Sequence, residues 1–460
     1  MKKVAFHNLG CKVNSYELDG IQQIFQKAGY EIVDFAQKAD IYIVNTCSVT
    51  NIADRKSRQM LHKAKAENPD ALVVALGCFV QADPQKAAKD EAIDIIIGNN
   101  KKTQTLDIVE EYLRCPKGSM EDGIHKCDIH AEDLTDPVNY ENMSIAKTAE
   151  HTRAFIKIQD GCNQFCSYCI IPYVRGRIRS RDISDIVSEV ENLRDNGYKE
   201  VVLTGIHLSS YGIEKGSYNE KALEGFTNYR LLDVIKRVCE IDGIKRVRLG
   251  SLEPRLITEE FIAEIKKQSK VCPHFHLSLQ SGCDDVLKRM NRHYTTKEYE
   301  EVVRRIREAY DRPAVTTDVI VGFPGESKEE FLRTQEYLRQ INLYETHLFK
   351  YSRRAKTVAD KMPAQHTDKT KSLRAAILAE DDRIRRNEFA GLFIGDEVEI
   401  LLEDEEFIEG KAVMVGYTPQ YVKCAVELCR HGEKNLSGEI IKAKGSKVID
   451  GVLLCEKSLV

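Results

Sequence analysis

Fourteen cysteines stand in a chain of 460 residues that has no tryptophan. Three fall in one short stretch, Gly161-Cys162-Asn163-Gln164-Phe165-Cys166-Ser167-Tyr168-Cys169, a C-x3-C-x2-C loop able to turn three sulfurs toward one centre. Thiolates select zinc or iron and sulfide. A four-thiolate zinc site wants a fourth ligand nearby, and neither His nor Cys follows within ten residues. Zinc, or three buried structural thiols, is the plain alternative to an iron–sulfur cluster.

Three protein thiolates on a four-iron cluster leave one iron open, and an open iron can bind the amino and carboxylate groups of S-adenosylmethionine. Electron transfer then cleaves the sulfonium and yields a 5′-deoxyadenosyl radical, chemistry that belongs to the cofactor. Cys11, Cys47 and Cys78 lie too far apart for a local motif, yet each falls just past a predicted parallel strand and before a helix. In an open α/β sheet those strand ends line the ligand crevice, so the three thiols converge. Buried cysteine is also a common core filler. Beside the first set, however, a second set of three implies two clusters, each with one iron free of a protein thiolate.

The elements that must hold these residues follow from the pattern of apolar runs. From 2 to 114, Val4–Phe6, Ile41–Val44, Leu72–Leu76 and Ile93–Ile97 read as buried strands, with helices about 14–28, 52–67, 83–90 and 101–113. That alternation predicts α/β architecture with a doubly wound parallel sheet. Residues 115–150 carry Pro116, Gly118, Gly123 and Pro137 among many acids and read as a linker with room for a hairpin. From 151 to 378, strand candidates Phe155–Ile158, Val201–Leu203, Val247–Leu249, His276–Leu279, Val319–Val321 and Thr346–Phe349 alternate with helices, six βα units that suggest a complete or partial (β/α) barrel. The cysteine loop follows the first of these strands. From 385 to 456, eight glycines punctuate short β runs, the pattern of a small antiparallel β-barrel.

Composition narrows the class. The formal net charge is −4, with 30% charged and 42% hydrophobic residues, which is neither a disordered tail nor a basic coat for nucleic acid. No signal peptide and no membrane span can be read, so a cytoplasmic protein is expected, whose cysteines serve metal or redox chemistry. No G-x4-G-K-[ST] occurs, which removes support for nucleotide hydrolysis.

Along essentially its whole length the sequence resembles the radical S-adenosylmethionine methylthiotransferases. The resemblance is carried by both cysteine sets and by Leu203-Thr204-Gly205, Leu249-Gly250-Ser251-Leu252-Glu253-Pro254, His276-Leu277-Ser278-Leu279-Gln280-Ser281-Gly282 and Asp318-Val319-Ile320-Val321-Gly322-Phe323-Pro324-Gly325-Glu326. It implies an N-terminal methylthiotransferase domain (2–114), a linker (115–150), a radical core (151–378) and a C-terminal TRAM domain (385–456). It also implies two 4Fe-4S clusters: an auxiliary one on Cys11, Cys47 and Cys78, and the S-adenosylmethionine-binding one on Cys162, Cys166 and Cys169. Leu9-Gly10-Cys11-Lys12-Val13-Asn14-Ser15-Tyr16-Glu17 and Pro172-Tyr173-Val174-Arg175-Gly176-Arg177-Ile178-Arg179-Ser180-Arg181 are similar to the branch acting on N6-threonylcarbamoyladenosine at tRNA position 37. The isopentenyladenosine and ribosomal-protein branches are the rivals. A two-cluster electron carrier with an RNA-binding module is the rival outside the class. One departure is Lys356, where the family usually has Gly before Thr; a Gly with positive φ would be replaced at some strain.

On this resemblance, one S-adenosylmethionine donates a methyl group, a second is the radical source, an external electron donor is needed, and the partner is a tRNA anticodon loop. The adenine must lie between two clusters, with the N-terminal domain over the barrel mouth. Thr204 and Gly205 are placed to receive the methionine amino group, and Ser251, Glu253 and Gln280 to meet ribose or sulfonium, unless they are simply polar strand ends. Residues 385–460 are acidic, whereas His151–Arg181 holds six Lys or Arg against one acid. Arg175, Arg177, Arg179 and Arg181 are the expected RNA contacts, with Arg304, Arg305, Arg307, Arg353, Arg354 and Lys356 as further candidates, of which Arg304, Arg305 and Arg307 read rather as a solvated helix face. The other eight cysteines, Cys115, Cys127, Cys239, Cys272, Cys283, Cys424, Cys429 and Cys455, are assigned to packing, and His274 and His276 to structure.

Overall fold

The computed structural model describes residues 1–114, 127–134, 138–148, 152–213, 229–427 and 436–457. Cys115 and Cys429 therefore lie outside the described residues. The chain forms two compact units. One comprises Met1–Ala149, Lys157–Asp182 and Ser352–Asp360; the other comprises Glu150–Ile156, Ile183–Tyr351 and Lys361–Val460.

The first unit is built on a sheet of β1 (Lys3–Asn8), β2 (Glu31–Val33), β3 (Ile41–Thr46), β4 (Leu72–Gly77), β5 (Ile95–Ile97) and β6 (Asp128–His130). The order is β2-β1-β3-β4-β5-β6, and every pair is parallel. Every residue of β3 and β4 is buried, as uninterrupted β-branched runs require of central parallel strands. The four expected strands form, and two short ones flank them. The order reverses between β1 and β3, so the carboxyl ends of those strands open a crevice.

Within the stretch read as a linker, Asp128–His130 supplies edge strand β6, whose Ile129 pairs with Ile96 and extends the sheet. Part of it is also tied to the helix Lys12–Lys27: Tyr16 donates its hydroxyl to the Met143 carbonyl, and Gln23 Nε2 donates to Lys147 at 2.6 Å. The last residues of β7 (Ala154–Asp160), the cysteine loop, the helical turn Ile171–Val174 and β8 (Arg179–Ser180) belong to this unit too, with β8 antiparallel to β7.

The second unit carries β9 (Glu200–Gly205), β10 (Arg246–Leu249), β11 (His274–His276), β12 (Ala314–Val321) and β13 (Glu345–Lys350). β9 pairs with β10, and β11, β12 and β13 pair in turn, all parallel. Isolated parallel bridges Val247–Val271 and Leu252–Leu277 join the two groups. All six strand candidates are met, β7 included. The fourth is displaced: β11 ends at His276, and Gln280, at φ +72°, breaks regular pairing before it bridges Val319. Helices alternate with these strands, and two of them, Thr296–Ala309 and Lys328–Ile341, start with full capping boxes from Thr295/Glu298 and Ser327/Glu330.

The 24-residue helix Asp368–Gly391 leads to a closed barrel. Its strands are β14 (Glu397–Ile408), β15 (Lys411–Tyr417), β16 (Lys423–Glu427), β17 (Ile440–Ile449) and β18 (Val452–Lys457), in the order β14-β15-β16-β18-β17. All pairs given are antiparallel except β16 with β18. Two hairpins turn on Glu409-Gly410 and Asp450-Gly451, each with both residues at positive φ, the two-residue geometry that suits strand twist. Closure leaves no sheet edge to aggregate.

Candidate active site

Gly10, Cys11 and the helix Lys12–Lys27 follow β1, Cys47 follows β3, and Cys78 opens the helix Cys78–Ala82 after β4. All three cysteines thus stand at carboxyl ends of neighbouring parallel strands. An ideal Cβ at Gly10 would lie 3.1 Å from Cys47 Sγ, so glycine is what lets the first loop approach the second thiol. Cys11, Cys47 and Cys78 are within electrostatic reach of one another, and Asn99 Nδ2 approaches Cys78 Sγ at 3.5 Å. Burial, and then the Cys78 thiol, push Cys47 up to about 12. Such a thiol becomes a ligand only together with a cationic centre.

The C-x3-C-x2-C loop is set by its glycines. Gly161 has φ +71°, and a Cβ there would lie 1.8 Å from the Arg177 carbonyl oxygen. Cys162 donates its backbone N–H to the Gly176 carbonyl at 3.0 Å, and Cys169 to Cys166 at 3.0 Å, which closes the loop on itself. Cys162 and Cys166 are buried and Cys169 is half-buried. This loop lies in the same compact unit as Cys11, Cys47 and Cys78. Cys78 packs with Ile170 and Val174 just beyond Cys169, and Asn99 Nδ2 also donates to the Val174 carbonyl at 2.7 Å.

A buried ion-pair network holds the two thiol sets together. Arg175 Nη1 meets Glu17 at 2.7 Å and Asp160 at 3.3 Å, and its Nη2 donates to Asn14 at 2.6 Å. Lys157 bridges the same two carboxylates at 2.7 Å each, Lys102 pairs with Glu17, and Arg179 reaches Asp160 at 3.2 Å. Burial opposes charge on Glu17, yet Arg175, Lys102 and Lys157 hold its carboxyl well below the usual range. Four cations against two carboxylates leave a positive surplus, and Arg175 is electrostatically coupled to both Cys11 and Cys78. Soft sulfur donors beside a buried cationic excess fit an anionic thiolate-bound cluster, so the residues present suit the group that the sequence implies.

This network corrects one expectation. Arg175, Arg179 and Arg181 are 0%, 4% and 3% exposed, and Arg181 donates to the Tyr16 hydroxyl at 3.1 Å, so none of the three faces a solvent-borne RNA. Only Arg177 is exposed, with its guanidinium 4.8 Å above the Phe165 ring. The sequence reading missed Glu17, Asn14, Asp160, Lys157 and Lys102. The available signal was Asn14 and Glu17 set among the apolar positions Val13, Leu18 and Ile21 of one helix.

In the second unit, Thr204 and Gly205 end β9, Ser251 follows β10, and Gln280 follows β11, all at the carboxyl edge. Gly250 donates to the Leu203 carbonyl at 2.8 Å, which seats Ser251 beside the end of β9. Thr204 and Gln280 are buried and Ser251 is exposed. Glu253 accepts from Arg255 Nε at 2.6 Å and lies 2.9 Å from His207 Nε2, so its carboxylate is committed internally. His276, Asp318 and His347 stand side by side on β11, β12 and β13, with Nε2 of His276 3.3 Å from Asp318. Lys356 has φ +75°, so the backbone conformation expected of the family's glycine is kept despite the side chain.

The model described as Radical SAM superfamily matches residues 156–338, and that described as Uncharacterized protein family UPF0004 matches residues 3–98. A threonylcarbamoyladenosine tRNA methylthiotransferase, MtaB, of Bacillus subtilis is 37% identical over 96% of this chain and 94% of its own length. The chain belongs to the radical S-adenosylmethionine methylthiotransferase family. The protein of the same name from Aquifex aeolicus is 41% identical, over 88% of this chain and 93% of its own length. A tRNA-2-methylthio-N(6)-dimethylallyladenosine synthase of Clostridium tetani is 36% identical over 76% of this chain and 74% of its own. Among solved structures, the radical S-adenosylmethionine methyltransferase TsrM of Kitasatospora setae, with cobalamin and a [4Fe-4S] cluster, aligns with a TM-score of 0.55. At 17% identity over 78% of this chain and 77% of that one, this likeness carries the fold alone. Family membership makes the chain an enzyme that uses S-adenosylmethionine and an iron–sulfur cluster. Among the described residues no helix is long and apolar enough to cross a membrane.

Proposed function

We propose that this enzyme inserts a methylthio group at C2 of N6-threonylcarbamoyladenosine at position 37, in the anticodon loop of tRNA. The observation that carries the reading is the presence of two cysteine triads in one compact unit, in a chain whose relatives include proteins named for that nucleoside. An adenine C2–H is beyond deprotonation by any side chain at neutral pH, so a radical is required. Bound to the chain, two 4Fe-4S clusters would supply the electron that cleaves S-adenosylmethionine and a site for the sulfur to be transferred.

The residues divide the work. Cys162, Cys166 and Cys169 hold the radical cluster and leave one iron for S-adenosylmethionine; Cys11, Cys47 and Cys78 hold the auxiliary one. Glu17, Asp160, Arg175 and Lys157 fix the two sets relative to each other. Thr204, Gly205, Ser251 and Gln280 orient S-adenosylmethionine, which serves as methyl donor and as radical source, and Glu253 positions its neighbours through His207 and Arg255. Arg177 is the exposed cation left to meet RNA beside the loop. An external electron donor supplies the electrons. The assignment of 2–114, 151–378 and 385–456 as methylthiotransferase, radical and TRAM domains belongs to the same reading.

Mass spectrometry of tRNA nucleosides from a deletion strain tests it: 2-methylthio-N6-threonylcarbamoyladenosine should vanish and reappear with the gene. Loss of 2-methylthio-N6-dimethylallyladenosine instead would move the enzyme to the other branch. In vitro, Cys166→Ala should abolish 5′-deoxyadenosine formation. Cys47→Ala should retain part of it and yield no methylthio product. Full product from either variant would refute the two-cluster assignment.

A further inference from the structure

A cleft of about 800 Å³ opens in the first unit, and the residues that line it are the immediate successors of three thiols: Ser48 after Cys47, Phe79 after Cys78 and Ile170 after Cys169. One wall is a single stripe of the helix Asn51–Glu67, where Asn51, Asp54, Arg58 and His62 recur at helical spacing. The stripe continues into an adjoining hollow of about 500 Å³ that adds Arg55 and Gln59 and shares Lys86. Arg353, Arg354, Ala355 and Lys356 complete the lining, with Arg354 bonded to Asp54 and Asn51 of the stripe.

The charges of the cleft do not cancel. Asp54 is taken by Arg354 at 2.6 Å, Asp90 by His62 at 2.9 Å, and Asp83 caps the backbone of Lys86 at 3.1 Å. Arg353 is paired with Asp360. Among the described residues, six Lys or Arg line the cleft against the four acids Asp54, Asp83, Asp90 and Glu91, a surplus of two, and Arg58, Lys86, Lys89 and Lys356 have no carboxylate partner. Lys356 spans the cleft to donate to the Ala82 carbonyl at 2.9 Å, and Arg58 lies 5.3 Å from the centre of the Phe79 ring. Arg354, 5% exposed, keeps its Nε without a partner in the wall. Cations without carboxylate partners around an aromatic ring, in a cleft that continues into a second hollow, form the combination that tracks a nucleic-acid backbone and stacks a base.

We propose that this cleft seats the RNA strand of the tRNA substrate beside the modified nucleotide, with phosphates on Lys86, Lys89 and Lys356 and a base against Phe79. The inference rests on the RNA substrate proposed above. It also gives a use to Lys356: a lysine at that left-handed position projects a cation across the cleft, where glycine would leave only backbone.

The test uses the cluster-loaded full-length enzyme and a fluorescent anticodon stem-loop carrying N6-threonylcarbamoyladenosine. Lys86→Gln with Lys89→Gln should weaken binding about tenfold near physiological salt, and should reduce the slope of log affinity against log salt by about 1.4 to 1.8, as loss of two phosphate contacts requires. Lys56→Gln, on the same helix but outside the cleft, should leave affinity and slope at wild-type values. The 5′-deoxyadenosine yield without RNA checks that each variant is folded and loaded. Wild-type affinity and slope in the double variant would overturn the proposal. So would a defect seen only when a protein reductant replaces a chemical one, because the cleft would then dock an acidic electron-donor protein. If the wild-type enzyme itself failed to bind the stem-loop, the RNA reading would fall first and the cleft with it.

Discussion

Arg175 is the residue through which the two thiol sets share one electrostatic environment. Its guanidinium is fully buried, and its fork matches Glu17 on one side and Asp160 on the other. Replacing it with Met removes one of the two cations, with Lys157, that both buried carboxylates share, and loss of one member of a buried pair costs up to about 3–5 kcal/mol. Arg175→Lys keeps the charge and loses the fork, so it should recover only part of that. Urea unfolding should show both losses, and iron content per chain should fall with them. Gly161→Ala is a narrower probe: its Cβ has no room beside the Arg177 carbonyl, so the radical-cluster loop should lose iron while the remaining protein stays folded. The cysteines were legible from sequence because loop spacing and strand ends are local. The role of Arg175 was not, because a dense basic stretch looks the same whether it faces phosphate or carboxylates 158 residues away.

Among elements, strands and helices followed the apolar pattern closely, and the errors lie at edges. β2 and β6 are three residues each, too short for alternation to register, and both form because a neighbouring strand end offers unpaired backbone. The C-terminal barrel offers a clean check on the cysteines taken as packing. Cys424 and Cys455 lie in its core with Val398, Ile400 and Leu453, on β16 and β18. The double variant Cys424→Ala and Cys455→Ala should leave iron content and product formation unchanged, and should cost about 1–3 kcal/mol through lost packing. A fall in iron would mean that more than six cysteines serve the clusters.

For the whole molecule, acid stability should depend on Glu200 of β9. Burial alone would raise its carboxyl, but Arg248 at 2.8 Å, with Arg153 and Arg246 behind it, holds it below the ordinary value. Because the unfolded chain takes up that proton more readily, the group contributes stability above about pH 4.3 and loses it as pH falls through the folded value. Unfolding midpoints followed from neutral pH downward should therefore decline, and Glu200→Gln should start lower and decline less. Arg248 also donates to the Pro419 carbonyl at 3.0 Å, which extends the same network to the barrel loop.

The first unit is assembled from three stretches of chain, and the last of them, Ser352–Asp360, follows the second only after Ile183–Tyr351 of the other unit. A ribosome has translated everything up to Tyr351 before that wall can be laid. Until then the nascent chain holds Cys11, Cys47 and Cys78 together with Arg175 but lacks the cleft residues Arg354 and Lys356. Completion of the cleft is thereby confined to late synthesis or after release, and a chain terminated before Ser352 would carry both thiol sets without that wall.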